Sequence, residues 1–207
     1  MAVLVRPACG PDLPYFYEIC LKTGDAGKDA SGLFYDPFLL GQYYSAPYFF
    51  YDQRLCFVAE AGGIPQGYIL AAQETRAFNL WMEQVWLPPL RRRYPEPYPG
   101  ERIQSPAEGQ AVSLLHRSLL PADPPPRWWS SYPAHLHIDL LPAIQGQGVG
   151  KALMHSLFTA LERRGCPGVH LGVGKANTGA IAFYGKRGFS VLQEQEQVLI
   201  LGKTLPK

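Results

Sequence analysis

The chain has 207 residues, which is enough for one domain or at most two small ones. With 47% apolar and only 17% charged residues, it can form a hydrophobic core and carries too little charge for a disordered protein. The net charge of +2 gives no strongly basic face, so we expect no nucleic-acid partner.

The sequence also gives expectations about membranes and compartment. No apolar run approaches the ~20 residues that span a bilayer, and residues 1–12 lack the layout of a secretory signal. The four cysteines, at positions 9, 20, 56 and 166, show neither C-x-x-C pairs nor zinc-ligand spacing. We therefore expect reduced thiols, no metal, no membrane partner and a cytoplasmic protein.

The N-terminal part predicts short helices followed by a hairpin. Apolar residues spaced for helices alternate with turn residues, and two apolar runs flank a glycine-rich turn. In chain order, we expect a strand at 2–6, a helix at 14–21, a helix around 37–45 that Pro47 breaks, and strands at 55–60 and 67–72.

Residues 76–134 show the least regular pattern, with proline-dense stretches and four tryptophans. One helix start is clear, because Ser105 and Glu108 form the pattern of a capping box around Pro106. We expect a large irregular insertion that shapes a binding site within a single domain spanning residues 1–207. Trp81, Trp86, Trp128, Trp129 and Arg91–Arg93 are assigned no site role, since packing and solvation explain them equally well.

Helix and strand patterns are clearest in the last third of the chain. Residues 147–164 carry an apolar stripe at helical spacing, and this helix ends in two arginines, a glycine and a proline. The other predicted elements are a strand at 135–141, a strand at 169–173, a helix capped by Asn177, and an antiparallel pair at 189–192 and 198–205. Alternating strands and helices predict an α+β fold.

A glycine-rich segment, Gln145 to Lys151, lies between a predicted strand and a helix. Unpaired amides and the helix dipole at such a junction suit an anionic oxygen. The spacing does not match a Walker A loop, because Gln145 replaces its first glycine and Ala152 replaces its Ser/Thr. A dinucleotide fingerprint starting at Gly146 also fails, because Lys151 stands at its last position.

Two motifs resemble those of the GNAT superfamily of acyl-CoA-dependent acetyltransferases. Gln145-x-x-Gly148-x-Gly150 resembles its pyrophosphate-binding loop, and N-x-x-A-x-x-F-Y-x-x-x-G-F from Asn177 to Phe189 resembles its second hallmark. The resemblance implies a central mixed, mostly antiparallel sheet flanked by helices, with acetyl-CoA as cosubstrate. HLHIDLLP with Tyr184, and the opening RP–EIC–TGDAG, look most similar to bacterial relatives of the acetyltransferase-like C-terminal domain of O-GlcNAcase.

The resemblance also implies which residues would hold the cosubstrate. Loop amides would bind the pyrophosphate, strand backbone would bind the pantetheine arm and polarise the thioester carbonyl, and an asparagine would bond the arm. These residues are Gln145, Gly146, Gln147, Gly148, Val149, Gly150 and Lys151 for the loop, Leu140 and Leu141 for the strand, and Asn177. Asn177 serves equally well as a helix N-cap.

Two residues are the predicted catalytic groups. Tyr184 would act as general acid for the leaving thiolate, or else pack as a buried aromatic beside Phe183. Asp139 shares one strand face with His135 and His137, so it could act as base or anchor a cationic substrate with a histidine as relay. A structural His–Asp hydrogen bond explains the same pattern.

The leading hypothesis is an acetyl-CoA-dependent N-acetyltransferase in which a primary amine attacks the thioester directly. The alternative is a non-catalytic acyl-CoA-binding or protein-interaction module, as the O-GlcNAcase resemblance permits. The sequence leaves the acceptor and the oligomeric state open.

Overall fold

A computed structural model of the protein describes residues 2–99, 103–120 and 125–206. Seven strands form one sheet in the order β1-β2-β3-β4-β5-β7-β6. The strands are β1 Val3–Pro7, β2 Cys56–Ala61, β3 Ile64–Ala72, β4 Ala134–Leu140, β5 Gly168–Gly174, β6 Ser190–Glu194 and β7 Val198–Thr204. The α-helices are α1 Leu13–Thr23, α2 Leu39–Tyr44, α3 Ala46–Asp52, α4 Thr75–Trp81, α5 Leu87–Arg93, α6 Pro106–His116, α7 Val149–Glu162 and α8 Thr178–Gly185.

The sheet carries one hydrophobic core on each face. On one face, side chains of β2 and β3 such as Val58 and Tyr68 pack against α1 to α6. On the other face, Ile69 and Leu136 pack against the apolar stripe of α7. Strand alternation produces this division, because successive side chains point to opposite faces. Both cores share one sheet, in keeping with a single domain over residues 1–207, which stays a prediction.

The sheet opens between β4 and β5. These two strands are parallel, and they pair only at Ala134–Val169 and His135–His170. From Leu136 to Leu140, β4 pairs with β3 alone, while β5 continues along β7. One edge of β4 therefore leaves its backbone groups outside the sheet ladder, and a ligand can reach them there.

The predicted irregular insertion needs correction. Where it is described, residues 76–134 are largely helical: α4, a π-helical turn at 82–86, α5 and α6 follow one another. The two prolines after Leu87 stand at the start of α5, directly after the π-helical turn. Residues such as Phe78, Leu90 and Leu115 are buried in the first core, so the segment completes that core. Its residues 100–102 and 121–124 lie outside the described ranges.

Other boundaries also differ from the sequence predictions. Pro47 stands in the first turn of α3 and separates two helices, so helical structure continues beyond it. The hairpin turn is only Gly62–Gly63, with φ of 62° and 82°, and β3 begins at Ile64. Ser105 caps α6 as predicted, but the Glu108 carboxylate accepts from the amides of Tyr35, Asp36 and Gln104 and not from Ser105. No helix within the described residues has both the length and the apolarity needed to cross a bilayer.

Candidate active site

A cavity of about 650 Å³ lies at the open edge of β4, between the start of α7 and α8. It brings together residues that are far apart in the chain, including Thr23 before the α1–α2 loop. Nine predicted site residues line it, namely Asp139, Leu140, Gln145, Gly146, Gly148, Val149, Gly150, Asn177 and Tyr184. The glycine-rich segment and the predicted catalytic side chains therefore share one cavity.

The glycines of the loop are required for two different structural reasons. Gly146 and Gly148 have φ of 73° and 80°, in the left-handed region that favours glycine. Gly150 has an ordinary φ, but a Cβ there would lie 2.9 Å from ring atoms of Phe183. The first two glycines set the backbone path, and the third lets α7 and α8 approach closely.

The loop presents a row of free amides at the N-terminus of α7. No acceptor in the described part of the chain bonds the backbone N–H groups from Gly146 to Lys151; the first helical bond runs from Ala152 N to Gly148 O. The dipole of a 14-residue helix adds partial positive charge at this end. An anionic oxygen can satisfy such amides without any charged side chain.

The side chains of two glutamines in the loop hydrogen-bond to backbone carbonyls that precede it in the chain. The Gln145 side-chain amide donates to the Leu140 carbonyl at 2.7 Å, and the Gln147 amide donates to the Ala143 carbonyl at 2.8 Å. The first bond ties the loop to the end of β4. Gln145 therefore positions the backbone in addition to lining the cavity.

Three predicted cofactor-binding residues do not line the cavity. The Leu141 amide donates to the Gln66 carbonyl at 2.8 Å, so it is already occupied. Gln147 borders a smaller cleft beside Val3 and Val5. The Lys151 side chain is exposed at the outer start of α7. Any contribution of Gln147 or Lys151 to anion binding would come from its backbone amide.

Asp139 meets a tyrosine that the sequence did not single out. The Tyr68 hydroxyl on β3 donates to Asp139 Oδ2 at 2.6 Å, between residues that are register partners across the two strands. Burial raises the pKa of Asp139, although hydrogen bonds from Tyr68 and Thr23 oppose this effect. The Asp139 carboxyl group is therefore protonated at a higher pH than that of an exposed aspartate.

Tyr184 lies on α8 and is 8% exposed, with its ring against Phe183 and Phe189. Burial, and then the negative charge of Asp139, raise the pKa of its hydroxyl above the ordinary value. The phenol stays protonated at neutral pH, which is the form that a proton donor needs.

Asn177 performs the helix-capping role expected of it. Its side-chain oxygen accepts from the Ala180 amide at 3.0 Å, while the residue also lines the cavity. The capping bond fixes the oxygen, so the side-chain amide group remains for a ligand.

His135 and His137 contact groups other than Asp139. His135 bonds the Thr75 hydroxyl through Nδ1 and the Tyr48 hydroxyl through Nε2, both at 2.8 Å. Burial lowers the pKa of His137 to about 4, and its ring lies against aromatic rings of Tyr44 and Tyr48. Neither histidine has a hydrogen bond to Asp139 in the described structure, so the predicted relay and the His–Asp pair are both wrong. The shared strand face is confirmed.

A second cavity, of about 470 Å³, borders the preceding stretch of β4. His135 to His137 form one side of it, and Trp128 and Trp129 form another. Burial lowers the pKa of His170, which also lines it, so the lining is aromatic and mostly uncharged at neutral pH. The two cavities therefore follow one another along the same open strand edge.

Sequence reasoning missed several residues of the first cavity. Thr23, Ala26 and Gly27 come from the T-G-D-A-G segment, and Phe183 and Arg187 come from the F-Y-x-x-x-G-F run. Both segments belong to motifs that the sequence shows, so a signal for these residues exists. Tyr68, which bonds Asp139 without lining the cavity, left no such signal, because a tyrosine in a strand is ordinary.

Comparisons with known proteins agree with this geometry. The model of the acetyltransferase (GNAT) family matches residues 123–189. The crystal structure of SsHAT is 36% identical in sequence, covers 100% of both chains and superposes with a TM-score of 0.88. The GNAT fold is thus confirmed, with a mixed sheet of seven strands flanked by helices.

More distant relatives match in part or in fold alone. The peptidyl-lysine N-acetyltransferase YjaB of Salmonella typhimurium is 40% identical over 73 residues, which are 34% of this chain and 46% of YjaB. The chain thus spans about half the length of this curated relative. The PaiA N-acetyltransferase of Thermoplasma acidophilum, solved with coenzyme A, is 15% identical over 99% of both chains, with a TM-score of 0.53. Taken with the full-length similarity to SsHAT and the matched family model, the glycine loop and its cavity show that this chain belongs to the GNAT family of acetyltransferases.

Proposed function

We propose that the protein transfers the acetyl group of acetyl-CoA to a primary amine. The observation that carries this proposal is the row of unpaired amides from Gly146 to Lys151, beside a cavity that also holds Tyr184 and Asp139. Coenzyme A complexes of GNAT neighbours, PaiA among them, support the choice of cosubstrate. The residues fit this ligand, because the loop offers N–H donors where a pyrophosphate needs them.

Side chains of this protein can donate and accept the protons that move during the reaction. The amine nitrogen bonds to the thioester carbon, the carbon–sulfur bond breaks, and the sulfur receives a proton. Tyr184 supplies that proton, and Asp139 accepts the proton that the amine loses, after which solvent re-equilibrates the two groups. Backbone groups on the free edge of β4 near Leu140 polarise the carbonyl.

The second cavity is our proposed site for the acceptor. It adjoins the first along β4, and it is lined by Trp128 and Trp129, to which the sequence alone assigned no site role. None of its described lining residues is a carboxylate, so aromatic faces are the groups available to a cationic or apolar acceptor. A lysine side chain is the first acceptor to test, because YjaB is named as a peptidyl-lysine N-acetyltransferase.

Two finer assignments accompany this proposal. The segments HLHIDLLP and TGDAG support a relationship to bacterial relatives of the O-GlcNAcase acetyltransferase-like domain. Four free cysteines, three of them buried, support a reducing compartment such as the cytoplasm.

Calorimetric titration with acetyl-CoA, followed by turnover across a panel of lysine peptides, polyamines and amino sugars, tests the proposal. We expect binding and transfer to at least one amine. Tyr184→Phe should lower kcat by roughly 100-fold or more while the affinity for coenzyme A changes by less than about twofold. Tyr17→Phe is the matched control, since burial also raises the pKa of Tyr17 and it lines neither cavity.

Three results would change the conclusion. Binding without transfer to any acceptor would favour the non-catalytic acyl-CoA module. Full turnover by Tyr184→Phe would refute the acid role. The absence of acetyl-CoA binding by the folded chain would refute the proposal as a whole.

A further inference from the structure

Arg187 is the only cationic side chain among the described residues that line the first cavity, and the reaction above gives it no role. It follows the last turn of α8, where its guanidinium carbon lies 3.5 Å from the centroid of the Phe183 ring. Its Nη1 donates to the Phe183 carbonyl at 2.8 Å. These two contacts fix the guanidinium at the wall of the cavity.

The rest of the guanidinium has no partner within the described chain. The Nε atom is buried without an acceptor, and no carboxylate of residues 2–99, 103–120 or 125–206 lies within ion-pair distance of Arg187. A partly desolvated cation without a counter-charge is unfavourable, whereas a bound anion would offset that cost. The position therefore favours an anionic ligand.

We propose that Arg187 binds the 3′-phosphate of coenzyme A while the glycine loop holds the pyrophosphate. This inference rests on the proposed function. The two sites are neighbours, because the Phe183 ring contacts Gly150 at the start of α7 and Arg187 stacks on that same ring. Coenzyme A carries the 3′-phosphate and the pyrophosphate on one ribose, so its two anionic groups need adjacent sites. A guanidinium also presents its donors in a fork that matches phosphate oxygens.

The consequence is selectivity among acyl carriers. A carrier that keeps the pyrophosphate but lacks the 3′-phosphate would still bind the loop amides and would lose only the Arg187 contact. Arg187 would thus distinguish coenzyme A from 3′-dephospho-coenzyme A without taking part in acetyl transfer.

The test is a comparison of two ligands with two proteins by isothermal titration calorimetry. We expect Arg187→Met to weaken coenzyme A binding by roughly 10- to 100-fold, as for the loss of charge-assisted hydrogen bonds. The same substitution should change the affinity for 3′-dephospho-coenzyme A by less than about twofold. Arg187→Lys should recover part of the loss, and Lys186→Met, the exposed neighbour outside the cavity, should change neither affinity.

The ligand pair separates recognition from a structural role. If Arg187→Met weakens both ligands equally, the residue only supports Phe183 and the inference is wrong. If it weakens neither, the inference is also wrong. If the unsubstituted protein binds neither ligand, the proposed function itself fails. Thermal unfolding of each variant would show whether the fold persists.

Discussion

Replacing Asp139 by asparagine should make the protein more stable and much less active at neutral pH. The substitution keeps an acceptor for the Tyr68 hydroxyl, now 2.6 Å from Asp139 Oδ2, and removes the buried charge. Because burial raises the pKa of Asp139 despite two hydrogen bonds, the charged form costs the folded state free energy at neutral pH.

The expected effects of Asp139→Asn on stability and on turnover differ in size. Replacing a charge-assisted hydrogen bond by a neutral one costs about 1 kcal/mol, while a buried unpaired carboxylate costs several. The net upward shift in the pKa of Asp139 indicates that the second term is larger, so we expect the free energy of unfolding to increase. Loss of a general base lowers kcat by roughly 10²- to 10⁴-fold, or about 3–5 kcal/mol of barrier.

The sign of the pH dependence gives an independent check. The folded protein binds the Asp139 proton more tightly than the unfolded chain, so stability falls as pH rises from the ordinary aspartate pKa through the raised one. The advantage of Asp139→Asn should therefore be present at neutral pH and vanish below about pH 4. Denaturant unfolding at several pH values and kcat measured with a fixed acceptor are the assays. A variant that is less stable at neutral pH, or that keeps full turnover, would refute the reasoning.

Three further predictions concern other parts of the molecule. Gly148→Ala puts a side chain at φ of 80°, so it should cost about 1–2 kcal/mol, divided between unfolding free energy and coenzyme A affinity. As the control for that substitution, Gly109→Ala, in the interior of α6 with open space around it, should instead stabilise the fold by about 0.5–1 kcal/mol. Asp12→Asn should destabilise by about 2–4 kcal/mol at neutral pH but leave kcat unchanged, because Asp12 accepts two bonds from Arg6. Trp128→Ala should raise the acceptor KM roughly tenfold without changing coenzyme A affinity.

Each of these predictions has a measurement that can contradict it. Gly148→Ala would contradict the loop geometry if denaturant unfolding and calorimetry both showed no loss. Asp12 is the opposite case to Asp139: burial opposes its ionisation, but bonds from Arg6 and Cys9 lower its pKa. Its stabilisation should therefore disappear as pH falls, and a pH-independent effect would argue against the ion pair. An unchanged acceptor KM in Trp128→Ala would remove the second cavity from the acceptor site.

The parts of the site that the sequence predicted depend on local backbone chemistry. The glycine-rich loop between β4 and α7, and the cap at Asn177, follow from residues a few positions apart. Short-range spacing also placed β4, α7 and α8 to within a few residues. The prediction of an irregular insertion was wrong mainly over residues 76–93, where α4 and α5 form and bury apolar residues in the first core.

The remaining features depend on contacts between distant segments. The Tyr68–Asp139 bond joins residues 71 positions apart and exists only because β3 and β4 pair in one register. A shift of one residue would turn Tyr68 to the opposite face. His135, on the same face as Asp139, bonds hydroxyl groups on α3 and α4, and sequence alternation cannot show which partner such a ring meets. For this reason, the surroundings of a side chain, and hence its pKa, could not be predicted from the sequence.

The charges of the first cavity constrain how a ligand can lie in it. Among its described lining residues, Asp139 is the one carboxylate and Arg187 the one guanidinium. A phosphate placed near Asp139 would be repelled in a partly buried setting, whereas Arg187 and the α7 amides attract it. The uncharged thioester end of the cosubstrate is then the part that can approach Asp139 and Tyr184. The same separation keeps the Asp139 carboxylate, which accepts a hydrogen bond from Tyr68, away from phosphate. The arrangement that binds the carrier therefore also leaves the base available to the amine of the acceptor.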